Sequence, residues 1–282
     1  MSSLIQLGRL IAALAWATSA VAQQPARTLV AVLAHADDEG AVAPLLARYS
    51  PEGAKVFLIV VTDGAQSGRS SSTGPDLARV RAGEAQCAAA ALGAQSPILL
   101  GYPDGKLGDY VGDRSLIYRL TARLAGELDR LRTDVVITWG PDGGTGHPDH
   151  RLVSNVVTQL ARAGARGVPE RVYYMSFPAE SIRAMNPQRG EPPLLVPAEK
   201  HLTVRVPFTP ADLEAARGSL RCHRSQFDED TAERLFRATA RAWNGTIALA
   251  PGFSGAPATE LLSWSVWTTP TSGPALYQQP AN

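Results

Sequence analysis

Two runs of strand length carry no polar alternation, residues 28–34 (TLVAVLA) and 55–62 (KVFLIVVT). A strand that is apolar on both faces must be covered on both faces, which suits a parallel sheet held between two helical layers. Shorter runs of the same kind stand at 98–102, 135–139, 171–177 and 202–206. Around them the spacing predicts helices over 39–49, 77–92, 115–131, 148–163 and 210–227. The alternation predicts an α/β fold, a Rossmann-like three-layer, doubly wound and mostly parallel sheet. Such a sheet binds ligands beyond the carboxyl ends of its strands, so polar clusters at those places are the ones to examine.

The first 22 residues read differently. Arg9, an apolar stretch running to Val21 and the Ala20-Val21-Ala22 site before Gln23 predict a signal peptide over 1–22, cleaved near Ala22. Its apolar segment is shorter than the ~20 residues needed to span a bilayer, and no later stretch is long enough. The expectation is an exported protein, periplasmic or secreted, without stable membrane insertion. Residues 23–243 read as one catalytic domain. Residues 244–282 read as a C-terminal appendage packed on it, with a strand candidate at 261–268. A small-residue stretch at 67–75 reads as a rim loop, and 186–199, with four prolines, as an irregular excursion.

Charge narrows the function. The chain has 27 Lys and Arg against 26 Asp and Glu, and Arg9 is the one charged residue of the leader, so the remainder is balanced. Neutrality argues against a nucleic-acid partner, which calls for a basic face to neutralise phosphates. Two cysteines, Cys87 and Cys222, exclude a disulfide-dense scaffold and a four-thiolate zinc site, and leave open whether the two pair.

Three of the five histidines fall in two clusters, each placed where a strand ends and a helix begins. The first is Ala34-His35-Ala36-Asp37-Asp38-Glu39 and the second is Gly146-His147-Pro148-Asp149-His150. His35 and Asp38, three residues apart, can share a face, and His147 and His150 repeat that spacing. Neutral imidazole with carboxylate suits zinc, and a His/Asp/His set leaves coordination positions open for catalysis. Any one of Asp37, Asp38 and Asp149 could instead cap a helix. Two such clusters at equivalent places in one sheet favour a metal site.

AHADDE and GHPDH, in this order on an α/β chain, resemble the PIG-L/LmbE-like family of zinc-dependent N-acetylglucosaminyl deacetylases. Ala36 stands where the family commonly has proline. The resemblance implies that His35, Asp38 and His150 hold one Zn2+ per chain and that Asp37 is the general base. It implies that His147 stabilises the oxyanion, most usefully when protonated, or protonates the leaving amine. Arg81-Ala82-Gly83-Glu84, Tyr102-Pro103-Asp104-Gly105 and Cys222-His223-Arg224-Ser225-Gln226 extend the resemblance, with Arg81 and Asp104 as substrate contacts. Thr145 stands where some relatives carry a tyrosine that can donate to the oxyanion.

The implied activity is removal of an N-acetyl or other N-acyl group from an amino-sugar substrate, a small molecule or a glycoconjugate. A glycopeptide or another non-sugar amide is the alternative substrate. Two other classes compete. His35 and Asp37 with a distant histidine also match the triad of non-haem iron oxygenases, although those triads typify all-β folds. A carbohydrate-binding protein that keeps a metal without turnover would have no use for Asp37.

Overall fold

The computed structural model describes residues 26–66, 74–144, 146–176, 197–253 and 257–262. The signal-peptide residues, most of the 67–75 loop, Thr145, most of the 186–199 excursion and all but the start of the 261–268 strand candidate lie outside them. The strands are β1 (Thr28–Leu33), β2 (Lys55–Thr62), β3 (Ile98–Tyr102), β4 (Val135–Trp139), β5 (Val172–Met175), β6 (Val204–Pro207) and β7 (Thr246–Pro251). The helices are α1 (Ala43–Tyr49), α2 (Pro75–Ala91), α3 (Arg114–Leu131), α4 (Pro148–Arg162), α5 (Pro210–Leu220) and α6 (Glu229–Trp243).

The strands form one sheet in the order β3-β2-β1-β4-β5-β7-β6, parallel from β3 to β5 and antiparallel at β7 and β6. The mostly parallel three-layer α/β fold is as expected. β1 is fully buried, and its side chains divide between the two layers. Leu29, Ala31 and Leu33 join the core that also takes residues of α1, α5 and α6, while Val30 and Val32 join the core of α3 and α4. That division explains the unbroken apolar run, because neither face of the strand meets water.

Four elements differ from expectation. The helix expected over 39–49 opens as a 3-10 turn, Asp38–Ala41, before α1, because Asp38 folds back onto the end of β1. The helix expected over 210–227 begins with a capping box between Thr209 and Asp212 and stops at Leu220, where the chain turns to send His223 inward. α6 was not anticipated, although Asp228 caps it and Ala232, Phe236, Thr239 and Trp243 recur on its buried side. Asn244, in the left-handed conformation, ends α6 and lets the chain return as β7. The start of the expected appendage is therefore a strand of the sheet itself, seated between β5 and β6.

β1 pairs with β2 on one side and β4 on the other, so the direction of winding reverses there. The crevice beyond the ends of β1 and β4 is the switch point where such folds place their ligands. His35 follows β1, and His147 and His150 open the helix after β4. No described helix is long and apolar enough to cross a membrane.

Candidate metal centre

Asp38 organises the end of β1. Its Oδ2 accepts from the backbone N–H of Ala34 at 2.8 Å, from that of His35 at 2.9 Å and from Trp139 Nε1 at 2.9 Å. Its Oδ1 faces His150 Nε2 at 3.1 Å and His35 Nδ1 at 3.7 Å. Those two nitrogens are 3.0 Å apart. Three atoms bound to one zinc at ~2.0–2.1 Å in tetrahedral geometry stand about 3.3 Å from each other, so the spacing fits.

The other ring nitrogens settle which atoms carry lone pairs. His35 Nε2 donates toward Asp104 Oδ1 at 3.1 Å and Asp149 Oδ2 at 3.4 Å, which leaves Nδ1 as acceptor. His150 Nδ1 donates to the Gly143 carbonyl at 2.9 Å, which leaves Nε2 as acceptor. With both rings neutral in these tautomers, two lone pairs and an anionic oxygen converge on one point, an arrangement that calls for a cation, whether a proton or a metal. Burial disfavours charge on His35, yet Asp104, Asp149 and Asp38 outweigh it and raise its pKa well above the ordinary value. Burial likewise opposes ionisation of Asp38, and His150 and His35 outweigh it, holding its pKa well below the carboxylate range.

Asp37 points elsewhere. Its Oδ1 accepts from Arg81 Nη2 at 3.0 Å, and its side chain is 23% exposed, enough to meet a ligand. The oxygenase reading used Asp37 as a metal ligand, but its carboxylate is turned to Arg81. Arg81 itself is buried, with Nη1 3.6 Å from Asp104 Oδ2. Gly64, just past β2, adopts φ +68°, and a Cβ there would lie 2.9 Å from Arg81 Cδ, so the glycine makes room for the arginine.

Arg81 and Asp104 were expected to contact substrate. Both side chains are only 4% exposed and engage internal partners, Arg81 behind the base and Asp104 behind His35, with Asp104 Oδ2 also accepting from the Gln66 backbone. His147 was expected to act as a cation. It is the N-cap of α4, its Nδ1 accepts from Asp149 N–H at 3.2 Å, and Nε2 is left to donate. Burial lowers its pKa, and the neighbouring His35 and His150 lower it further, which favours the neutral ring.

Other residues shape the site without having been given a role in it. Asp149, fully buried, accepts from Gly105 and Leu107 N–H and ties the Pro103-Asp104-Gly105 turn to α4. The late segment clamps the first motif and α2 together. His223 Nε2 lies 2.7 Å from Glu39 Oε1, Ser225 donates to Glu84 through both N–H and Oγ, and Cys222 is disulfide-bonded to Cys87. The recurrence of Glu39, Glu84 and His223 within separate motifs was the available signal that these segments touch.

Residues 30–161 match the family PIG-L, described as GlcNAc-PI de-N-acetylase. A 1D-myo-inositol 2-acetamido-2-deoxy-alpha-D-glucopyranoside deacetylase of Corynebacterium urealyticum is 30% identical over 241 residues, covering 72% of this chain and 71% of that protein. The deacetylase of the same description from Saccharomonospora viridis is 30% identical over 228 residues, covering 69% of this chain and 83% of that protein. Among solved structures, the N,N'-diacetylchitobiose deacetylase of Pyrococcus horikoshii superposes with a TM-score of 0.55 at 20% identity, over 80% of this chain and 85% of that one.

Proposed function

The chain belongs to the PIG-L family of de-N-acetylases, and from that premise we propose that it is a zinc-dependent hydrolase that removes an N-acetyl or other N-acyl group from an amino-sugar substrate. The observation that carries this reading is the convergence of His35 Nδ1, Asp38 Oδ1 and His150 Nε2 beside an unligated, partly exposed Asp37. These three residues would hold the metal. When bound, zinc lowers the pKa of a coordinated water from ~15.7 toward ~7 and polarises the amide carbonyl.

The chain's own groups do the rest. Asp37, oriented by Arg81, accepts a proton from the attacking water. His147, neutral and bonded at Nδ1, donates its Nε2–H to the oxygen that gains charge, a contact whose loss typically costs about 100- to 1000-fold in rate. Because a neutral His147 has no proton to give up easily, Asp37 returns the proton it took to the departing nitrogen. The products are a carboxylate and an amine, which takes up the second proton of the water to leave as an ammonium ion.

A cavity of about 800 Å³ runs along the outward side of α4, from Pro148 past Arg151, Asn155 and Gln159, with Tyr110 opposite. Its lining includes none of the proposed ligands, Asp37 or His147, so it lies beside the site rather than forming it. Export is part of the proposal, supported by the leader over 1–22 and by a disulfide of the kind that persists in oxidising compartments. The test is metal analysis of purified protein with an acetate and fatty-acid release screen over sugar conjugates, lipid-linked sugars, polysaccharides and glycopeptides. Release under anaerobic conditions with zinc supports the reading. Metal and sugar binding without release refutes it.

A further inference from the structure

Trp139 is a core aromatic beside the site, only 1% exposed. Packing alone does not account for where its nitrogen points. At the end of β4, Nε1 donates to Asp38 Oδ2 at 2.9 Å, completing the set of donors that leaves Oδ1 as the free oxygen. The indole lies flat against the imidazole of His150, with centroids 4.4 Å apart and planes 5° from parallel. A phenylalanine would stack on His150 equally well but would give Asp38 nothing.

The loop beyond β4 closes the arrangement. A Cβ on Gly144, whose φ is +63°, would lie 2.4 Å from Trp139 Cζ3, so the loop can rest on the indole only as glycine. The preceding carbonyl, of Gly143, accepts from His150 Nδ1. Trp139 therefore touches one ligand by hydrogen bond, a second by stacking, and the loop that orients that second ligand.

We infer that Trp139 is a positioning residue for the metal ligands, fixing which Asp38 oxygen faces the metal and the plane in which His150 presents Nε2. The inference rests on the proposed metal-dependent reading. Partners of this kind, behind the ligands, typically change metal affinity by about 10- to 100-fold when lost.

The test uses the full-length mature protein with Zn2+ and Co2+, titrated against a chromophoric chelator, and the visible spectrum of the Co2+ form. Trp139→Phe retains the stack and removes the donor. Replacement of Trp139 by β-(3-benzothienyl)alanine keeps the indole's shape without its N–H, and serves if the phenylalanine variant does not fold. A loss of about 10- to 100-fold in affinity with an altered Co2+ spectrum, while the metal-free protein melts near the wild-type temperature, supports the inference. Wild-type affinity and an unchanged spectrum in a folded variant overturn it alone. A wild-type protein that takes up neither metal overturns it together with the reading beneath it.

Discussion

Arg81 Nη2, on α2, lies 3.0 Å from Asp37 Oδ1 at the end of β1, while Nη1 of the same guanidinium is 3.6 Å from Asp104 Oδ2. One planar group thus spans the proposed base and the carboxylate behind His35. A lysine keeps the charge but not the two-pronged geometry. Arg81→Lys should lower kcat by about 10- to 100-fold with little change in metal content, because the base is displaced and the ligands are not. Steady-state kinetics beside elemental analysis would check this, and an unchanged kcat would count against the positioning of Asp37 by Arg81.

Asp37→Asn removes the proton acceptor and keeps the shape. Turnover should fall by about 100- to 10,000-fold while zinc occupancy stays near the wild-type level. Near-normal acetate release by this variant would remove Asp37 from the mechanism.

Metal binding should strengthen as pH rises. The folded pKa of His35 is raised well above its ordinary value by Asp104, Asp149 and Asp38, so in the metal-free protein a proton occupies the place the metal needs. Below that raised pKa each unit by which the pH falls should weaken apparent zinc affinity by about tenfold for the one proton displaced. Chelator competition between about pH 6 and pH 8 would measure it. A flat profile would be inconsistent with competition at His35.

The Cys87–Cys222 disulfide closes a span of 135 residues and joins α2 to the segment after α5. Replacing both cysteines by alanine should cost on the order of 2–5 kcal/mol. Urea denaturation would show a lower midpoint, and reductant should then have no further effect. Equal midpoints for wild type and variant would mean that the bridge adds no stability.

His223 and Glu39 are both wholly buried, and the pair gives stability a pH dependence. Burial opposes charge on His223, but the Glu39 carboxylate prevails and its pKa is pushed up to about 9. Since the folded value lies above the unfolded one of ~6.5, the contribution is complete below that pH and is lost as pH rises through about 9. Urea midpoints of wild type should fall across this range more steeply than those of His223→Gln. Parallel pH profiles would refute the pair's role.

The sequence made the sheet legible wherever a strand was apolar on both faces, as β1 and β2 are. β7 escaped notice because its alternation, with Ile247 and Leu249 buried, sits in a Gly/Ala/Pro-rich neighbourhood that reads as a loop. At the site, the three-residue spacing already brings His35 to Asp38, whereas His150 joins them from 115 residues away and was named through the family resemblance. Arg81 and Asp104 were named as substrate contacts, and their burial and internal partners were not legible, because these depend on contacts about 40 residues apart, such as Asp104 with Gln66 and Arg81 with Asp37. Trp139 could not be singled out in this way: its partner Asp38 is 101 residues away, and only the fold aims its nitrogen.

The insertion of β7 between β5 and β6 sets an order of assembly during synthesis. β6 emerges some 40 residues before the strand that attaches it to the sheet, so among the described residues it has no neighbouring strand until β7 arrives. The five parallel strands and both histidine clusters lie entirely upstream, so the crevice can form while the far edge is still missing. A chain cut after Trp243 would retain every proposed ligand and the Cys87–Cys222 bridge yet lack the strand that joins β6 to β5. Its defect would be an exposed sheet edge and a tendency to pair with other chains rather than an absent centre.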